Sequence, residues 1–354
     1  MQSTFWKDKK VFLTGHTGFK GGWLALWLTE MGAQVYGYSL APSTQSNLFS
    51  TLKLSDRIAS NIIADIRDAN VLSEAMIDAS PDIVFHMAAQ PLVRHSYSHP
   101  TETYSVNVMG TVNLFEAVRK CKSVKAIVNI TTDKCYENRE WVWPYRETEA
   151  MGGYDPYSSS KACSELVTAA YRRSFFDTIG VHVASARAGN VIGGGDWAED
   201  RLIPDFLRAI DAGQTLNIRS PNATRPWQHV LEPLSGYLTL AKSLYEGQHE
   251  AATAWNFGPT EDDARSVKWV AEHLCKLIPT AKWVCDNSIQ PHEANLLKLD
   301  ISKAKNELQW RPRWKLEDAL RMTLSWHNKW RSGADMYEIS LEQINIYEAS
   351  EDKK

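Results

Sequence analysis

Tyr157 and Lys161 stand four positions apart in Tyr157-Ser158-Ser159-Ser160-Lys161, just after Pro156, where an amphipathic stretch begins. On a helix that spacing puts both side chains on one face. A phenol titrates near about 10 and is a poor base at neutral pH. An ammonium beside it, with a positive nicotinamide ring, favours the phenolate and brings it into range for taking a proton from an alcohol. Unrelated residues often share this spacing, so the pair gains weight only from what precedes it. Upstream, Thr14-Gly15-His16-Thr17-Gly18-Phe19-Lys20-Gly21 spaces its glycines G-x-x-G-x-x-G between a strand-like and a helix-like run. The first glycine permits a tight turn, the second a close backbone approach, the third close helix–strand packing. The helix start then offers free N–H groups and a positive dipole end to a pyrophosphate. A glycine turn of no special role is the plain alternative, and the strand–loop–helix order argues against it. Together the motifs point to redox chemistry on a hydroxyl against a dinucleotide.

A third group follows an apolar run: Asn129-Ile130-Thr131-Thr132-Asp133-Lys134-Cys135-Tyr136. The carboxyl ends of strands in a doubly wound sheet face the ligand. Thr132 can hydrogen-bond the hydroxyl that Tyr157 deprotonates. Asp133 and Lys134 are less ordinary, because oxidation at one carbon needs neither a second acid nor a second base. Elsewhere such a pair reads as a solvated surface turn; at this edge it reads as chemistry. Asn190, Arg201, Arg219 and Arg225 are candidates for the substrate, since the arginine fork suits a pyrophosphate. Ala88 leaves room for a cofactor beyond the fourth strand, and Asn107 stands mid-helix, where asparagine is unfavourable by propensity. The second strand ends Tyr36-Gly37-Tyr38-Ser39-Leu40 without an acid or an arginine, so local residues leave NAD and NADP open.

To position these groups the first half alternates strand-like and helix-like runs. Strands are expected over Lys10–Thr14, Gln34–Ser39, Asn61–Ala64, Ile83–Met87, Lys125–Thr131 and Val181–Arg187. Helices are expected near Phe19–Met31, Asp68–Ala79, Pro100–Lys120 and Tyr157–Thr178. The fold class is α/β: a Rossmann-like, doubly wound parallel sheet with a smaller mixed α/β C-terminal lobe for substrate. Residues 1–188 form the dinucleotide-binding domain, with 228–260 returning to it; 189–227 and 261–332 form the lobe; 333–354 read as a weakly patterned, peripheral tail.

The 354 residues carry 39 Lys+Arg against 42 Asp+Glu, with 44% hydrophobic residues. That is globular composition, without the basic footprint of nucleic-acid binding. No apolar run approaches the roughly 20 residues of a membrane span, and the start of the chain shows no secretory segment. Five scattered cysteines without a CxxC pair suit free thiols in a reducing cytosol, so a cytoplasmic location is expected. No spacing of His and Cys suggests a metal site.

The glycine spacing resembles that of the short-chain dehydrogenases/reductases, above all the extended branch that modifies nucleotide sugars. In that branch a Thr-Asp-Glu triplet after the fifth strand marks the dTDP-glucose 4,6-dehydratases. Thr132-Asp133-Lys134 departs from it at Lys134 and is similar instead to the CDP-glucose 4,6-dehydratases. His86-Met87-Ala88-Ala89-Gln90-Pro91-Leu92-Val93-Arg94, Val191-Ile192-Gly193-Gly194-Gly195-Asp196-Trp197 and Arg225-Pro226-Trp227-Gln228-His229-Val230 agree with that family, over a span from Lys9 to Trp330. The resemblance implies C4 oxidation of CDP-glucose, loss of water across C5–C6 and hydride return to C6. Tyr157, Lys161, Thr132, Asp133 and Lys134 would be catalytic, Asp133 as the acid for the C6 hydroxyl and Lys134 as a C5 base. Gly15, Gly18, Phe19, Lys20, Gly21, Asp65, Ile66, Ala88 and Asn107 would hold NAD, with NADP not excluded, alongside Tyr157 and Lys161. Asp65 resembles the acid that meets the adenine end, and Asn107 one that supports the site backbone. The family also implies a homodimer through a four-helix interface of Pro100–Lys120 and Tyr157–Thr178. A nucleotide-sugar 4-epimerase or ketoreductase shares the loop and Tyr157/Lys161 but performs no dehydration, so Asp133-Lys134 discriminates. A catalytically silent cofactor-sensing regulator need not keep Tyr157, Lys161 and Thr132 together.

Overall fold

The computed structural model describes residues 3–286 and 294–350. A seven-stranded sheet runs in the order β3 (Ser60–Ile63), β2 (Gln34–Ser39), β1 (Lys10–Thr14), β4 (Ile83–His86), β5 (Ala126–Ile130), β6 (His182–Arg187) and Ala254–Asn256. Every neighbouring pair is parallel. From β1 the chain winds to β2 on one side and later to β4 on the other. A topological switch point therefore opens at the carboxyl ends of β1 and β4. The sheet is doubly wound and Rossmann-like.

Successive side chains of each strand feed opposite faces. Val11 and Leu13 of β1, with Val128 and Ile130 of β5, pack with Trp23, Leu24, Leu231, Leu238 and Trp255. Phe12 and Ile127 turn the other way, onto Leu72, Met76, Leu114 and Phe115. Because both faces are covered, β4 and β5 are buried throughout, which is why they read as unbroken apolar runs. At the edge, β3 alternates half-buried and exposed positions.

The lobe has its own core, of Ile203, Phe206, Leu216, Ile218, Val270, Leu274 and Leu320. Its helices are Leu202–Asp211, Val267–Leu277 and Leu316–Arg331. Short strands stitch it: Leu216–Ile218 to Trp283–Cys285, and Thr224–Pro226 to Ala264–Ser266.

Two expectations need correction. Pro100–Lys120 and Tyr157–Thr178 are not uniform helices; each contains a π-helical turn, Ser105–Met109 and Arg172–Phe176. In addition, the segment expected to be a peripheral tail contains the helix Met336–Ala349, which buries Met336, Ile344 and Tyr347 in the main core. Tyr347 donates its hydroxyl hydrogen to Glu232 at 2.8 Å, and Glu232 also accepts the backbone N–H groups of Arg313 and Trp314 at 3.0 and 2.7 Å. The buried stripe of that helix includes Ser340 and Gln343, so it lacks an apolar signature. Among the described residues no helix is long and apolar enough to cross a membrane, and Cys121, Cys135, Cys163, Cys275 and Cys285 are free thiols.

Candidate active site

At the switch point β1 ends in Thr14, whose hydroxyl accepts the N–H groups of Met87 and Ala88 at 3.0 and 3.1 Å. Gly15 follows with φ of 78°, and a Cβ there would lie 2.8 Å from the Ala88 nitrogen. A Cβ on Gly21 would fall 2.0 Å from the Gly15 carbonyl oxygen. These two glycines are therefore required by the close approach of loop and helix. Gly18 caps the Phe19–Glu30 helix without a side-chain hydrogen bond, so no side chain competes for the first N–H groups. Lys20, in that first turn, lines the cleft. Burial lowers its ammonium to about 8, and the charge of Arg201 adds to the effect.

Around this cradle the other cofactor candidates take different places. Asn107, in the π turn, accepts the Gln90 N–H at 2.9 Å and donates to the Gln90 carbonyl at 3.1 Å and to Ser160 at 2.8 Å. It thus fixes the loop after β4 against the Tyr157 helix. Asp65 lies beyond β3 in an ion pair with Arg67, whose hydrogen bonds hold its carboxyl below the usual range. The Ile66 side chain is buried in the second core, so its backbone is what remains for a ligand.

Asp155 starts the Pro156–Tyr171 helix by accepting the Ser158 N–H at 2.9 Å and the Ser158 hydroxyl at 2.6 Å. That cap places Tyr157 in the first turn at the cleft wall and Lys161 one turn deeper. The Tyr157 side chain is half-buried, and loss of water around its phenol pushes it up to about 12, opposed by a hydrogen bond with Thr132 and the charge of Arg201. The sequence reading made Lys161 the group that lowers the phenol. In the structure its ammonium donates to the Ile130 carbonyl at 3.1 Å, which uses one of its three N–H groups. Burial, then the charge of Lys20, brings Lys161 down to about 7.

One turn further, Glu165 accepts from Thr131 at 2.6 Å, Ser185 at 2.5 Å and Arg187 at 2.9 Å, all buried. This pair ties β5, β6 and the helix together beneath the site. The sequence reading passed over it, although Glu165 repeats the four-residue step from Lys161.

Thr132 caps the tight turn Asp133–Cys135 and donates to Asp133 Oδ1 at 3.1 Å. The Asp133 carboxyl is buried, and among the described residues its Oδ2 has no hydrogen-bond partner. It lies against the backbone of Gly189, where a Cβ would come 1.8 Å from Oδ2. Burial raises Asp133 above the usual carboxylate range, with the charges of Lys134 and Arg225 opposing. A carboxyl that holds its proton beside a polar cleft can serve as a general acid.

Thr132, Asp133, Lys134, Tyr157 and Lys20 line a cleft of about 310 Å³ between sheet edge and lobe, and Asn190, Arg201, Arg219 and Arg225 line it from the lobe side. Arg201 pairs with Asp196 at 2.8 Å, and Arg219 with Asp200 at 2.7 Å. Arg225 is buried. The glycine-dense loop is held by Trp23 Nε1, which donates to the Gly194 carbonyl at 2.9 Å, and a Cβ on Gly194 would collide with the Trp326 ring. Arg94, Asp196, Asp200 and Gly189 also belong to the lining and were not site candidates from sequence, Arg94 and Asp196 standing there only within longer motifs. Among the described residues no cluster of His, Cys, Asp or Glu could hold a metal ion.

The family model for GDP-mannose 4,6 dehydratase matches residues 12–323. The chain belongs to that family. Within the family, the chain is 54% identical over 98% of its length to a CDP-glucose 4,6-dehydratase of Salmonella typhimurium, 98% of which is covered. Among solved structures, a dTDP-glucose 4,6-dehydratase from Streptomyces venezuelae superposes with a TM-score of 0.78 at 22% identity, covering 92% of this chain and 99% of that one. A UDP-glucose 4-epimerase from Thermotoga maritima also reaches 0.78 at 22% identity, covering 91% and 99%. The fold is thus common to dehydratases and epimerases, and the site must decide between them.

Proposed function

We propose that this chain converts CDP-glucose to CDP-4-dehydro-6-deoxyglucose, in deoxysugar synthesis. The observation that carries the reading is Asp133: a buried carboxyl with a raised pKa in the same cleft as Tyr157. A 4-epimerase has no leaving hydroxyl to protonate. The likeness to the Salmonella typhimurium enzyme supports cytosine as the base.

The cofactor that fits is NAD. Gly15, Gly18 and Gly21 shape the cradle for its pyrophosphate, and Asn107 and Ala88 set the loop beside it. The end of β2 offers only uncharged groups, with the Thr17 hydroxyl spent on Ser39 and on the Leu40 carbonyl. Arg67, the cation beyond β3, is paired with Asp65, an arrangement that gives a 2′-phosphate a competing carboxylate there. When bound, NAD accepts hydride from C4 of the sugar and returns it to C6.

The chain's residues manage the protons. Tyr157, hydrogen-bonded with Thr132, takes the O4 proton as C4 becomes a ketone. That ketone acidifies C5–H, whose proton the neutral amine form of Lys134, a residue of the cleft wall, would take and later return to C5. Asp133 gives its proton to the C6 hydroxyl, which leaves as water. Arg201 and Arg225 face the substrate with charge of the sign a diphosphate needs.

Turnover in heavy water tests this. Deuterium should appear at C5, and a label placed at C4 should reappear at C6, while the sugar loses the mass of water. Lys134→Ala should slow exchange at C5 more than oxidation at C4. Product of unchanged mass without solvent label at C5 would reject the dehydratase reading in favour of the epimerase.

A further inference from the structure

At the mouth of the cleft, one carboxylate oxygen serves two arginines from opposite sides. Arg94 belongs to the Val93–Ser98 helix that follows β4; Arg219 stands directly after the lobe strand Leu216–Ile218. Both donate to Oδ1 of Asp200, at 3.3 and 2.7 Å. All three residues line the cleft. Asp200 sits in the loop before the Leu202–Asp211 helix with φ of 60°, a left-handed conformation that aspartate and asparagine reach more readily than other side chains. Asp205, another acid of the cleft lining, is bound to Arg208.

We propose that Asp200 is a resident latch, holding Arg94 and Arg219 across the cleft mouth until the diphosphate of a nucleotide sugar takes both arginines from it. The proposal rests on the nucleotide-sugar reading of the cleft. It makes Arg94, from the dinucleotide domain, a substrate-binding arm opposite the lobe arginines. Three physical points carry it. A guanidinium prefers the paired oxygens of a phosphate to a single shared carboxylate oxygen. The side chains of Arg94 and Asp200 are 42% and 41% exposed, so their bond to one another is weak and opens at little cost. Finally, an aspartate left beside a bound diphosphate would repel it, so binding requires Asp200 to give way.

Asp200→Asn tests this with little risk to the fold, because asparagine tolerates the same left-handed backbone. Calorimetric titration of the full-length protein, saturated with NAD, compares CDP with cytidine. Asp200→Asn should bind CDP about two- to fivefold more tightly, the range set by an exposed ion pair, and cytidine with unchanged affinity. Arg94→Gln should weaken CDP binding and leave cytidine unaffected. If wild type binds both and Asp200→Asn binds CDP no more tightly, the latch is refuted while the functional reading stands. An equal shift for CDP and cytidine also refutes it, since the latch acts on the diphosphate alone. If the wild type binds neither, the nucleotide-sugar reading falls and takes the latch with it.

Discussion

Asp133 can lie buried because Gly189 gives it a place to lie. With a Cβ at Gly189 only 1.8 Å from Oδ2, Gly189→Ala must move the carboxyl or the loop. The three atoms nearest that Cβ all belong to Asp133, none to Tyr157 or Thr132. The expected outcome is that C4 oxidation persists while loss of water slows on the order of a hundredfold, the penalty of a displaced catalytic group. Reduced nicotinamide, followed by its absorbance in single turnovers, should then build up in Gly189→Ala and not in wild type; equal traces would dismiss the role of Gly189. The Tyr157–Lys161 pair and the glycine loop were legible because each is a local spacing within one element. Gly189 and Asp133 are 56 positions apart, and no period in the sequence announces that they touch. Arg94 and Asp200, separated by 106 positions, were hidden for the same reason. Local spacing could not foresee that the Ile130 carbonyl would accept one hydrogen of the Lys161 ammonium, since that bond joins strand to helix.

At the scale of elements, strands were readable where both sheet faces are covered, since β4 and β5 had to be apolar throughout. The Met336–Ala349 helix was not, because its inward face is held by polar bonds. Ser340 accepts from Trp326 Nε1 at 2.9 Å, Gln343 donates to the Met322 carbonyl at 2.9 Å, and Tyr347 reaches Glu232 at 2.8 Å. Such a face has no hydrophobic period to detect. Its docking is predicted to depend on pH. Burial raises Glu232 from 4.5 to about 7, opposed by the N–H of Trp314 and the hydroxyl of Tyr347. The folded chain therefore holds a proton that the unfolded chain releases at lower pH. The contribution, on the order of 3 kcal/mol, is present below pH 4.5 and is lost as pH rises through about 7. Glu232→Gln removes that titration and keeps an acceptor for Trp314 and Tyr347. The melting temperature of wild type relative to Glu232→Gln should fall between pH 5 and pH 8; a constant difference would contradict the assignment.

For the whole molecule, a homodimer is the expected assembly, on the ground of what the helices leave uncovered. Tyr97, Tyr104, Met109 and Leu166 are 40%, 38%, 51% and 58% exposed on the helical segments around Pro100–Lys120 and Pro156–Tyr171. A two-fold pairing of these faces would cover apolar surface on both copies at once. We expect a dimer by sedimentation equilibrium at micromolar concentration, and a monomer there would rule out this surface as the interface. The lobe was legible in outline, from the break in rhythm after Arg187, but its contacts with the sheet were not, because they join segments distant in sequence. A contact outside the lobe, between the Phe19–Glu30 and Met336–Ala349 helices, bears on the order of synthesis. Trp27 donates its indole hydrogen to Glu348 at 3.0 Å, and Tyr347 packs edge-on against the same ring at 5.8 Å between centroids. A ribosome adds Trp27 to the chain 321 residues before Glu348. The Phe19–Glu30 helix therefore emerges with part of its apolar surface uncovered and keeps it so until the Met336–Ala349 helix has been made. The strand β6, next to the edge of the sheet, faces the same delay, since it receives its outer neighbour Ala254–Asn256 only after the glycine-dense loop and the first segment of the lobe have been made. The nascent chain, more than the finished protein, is thus the form that must be kept from sticking to others.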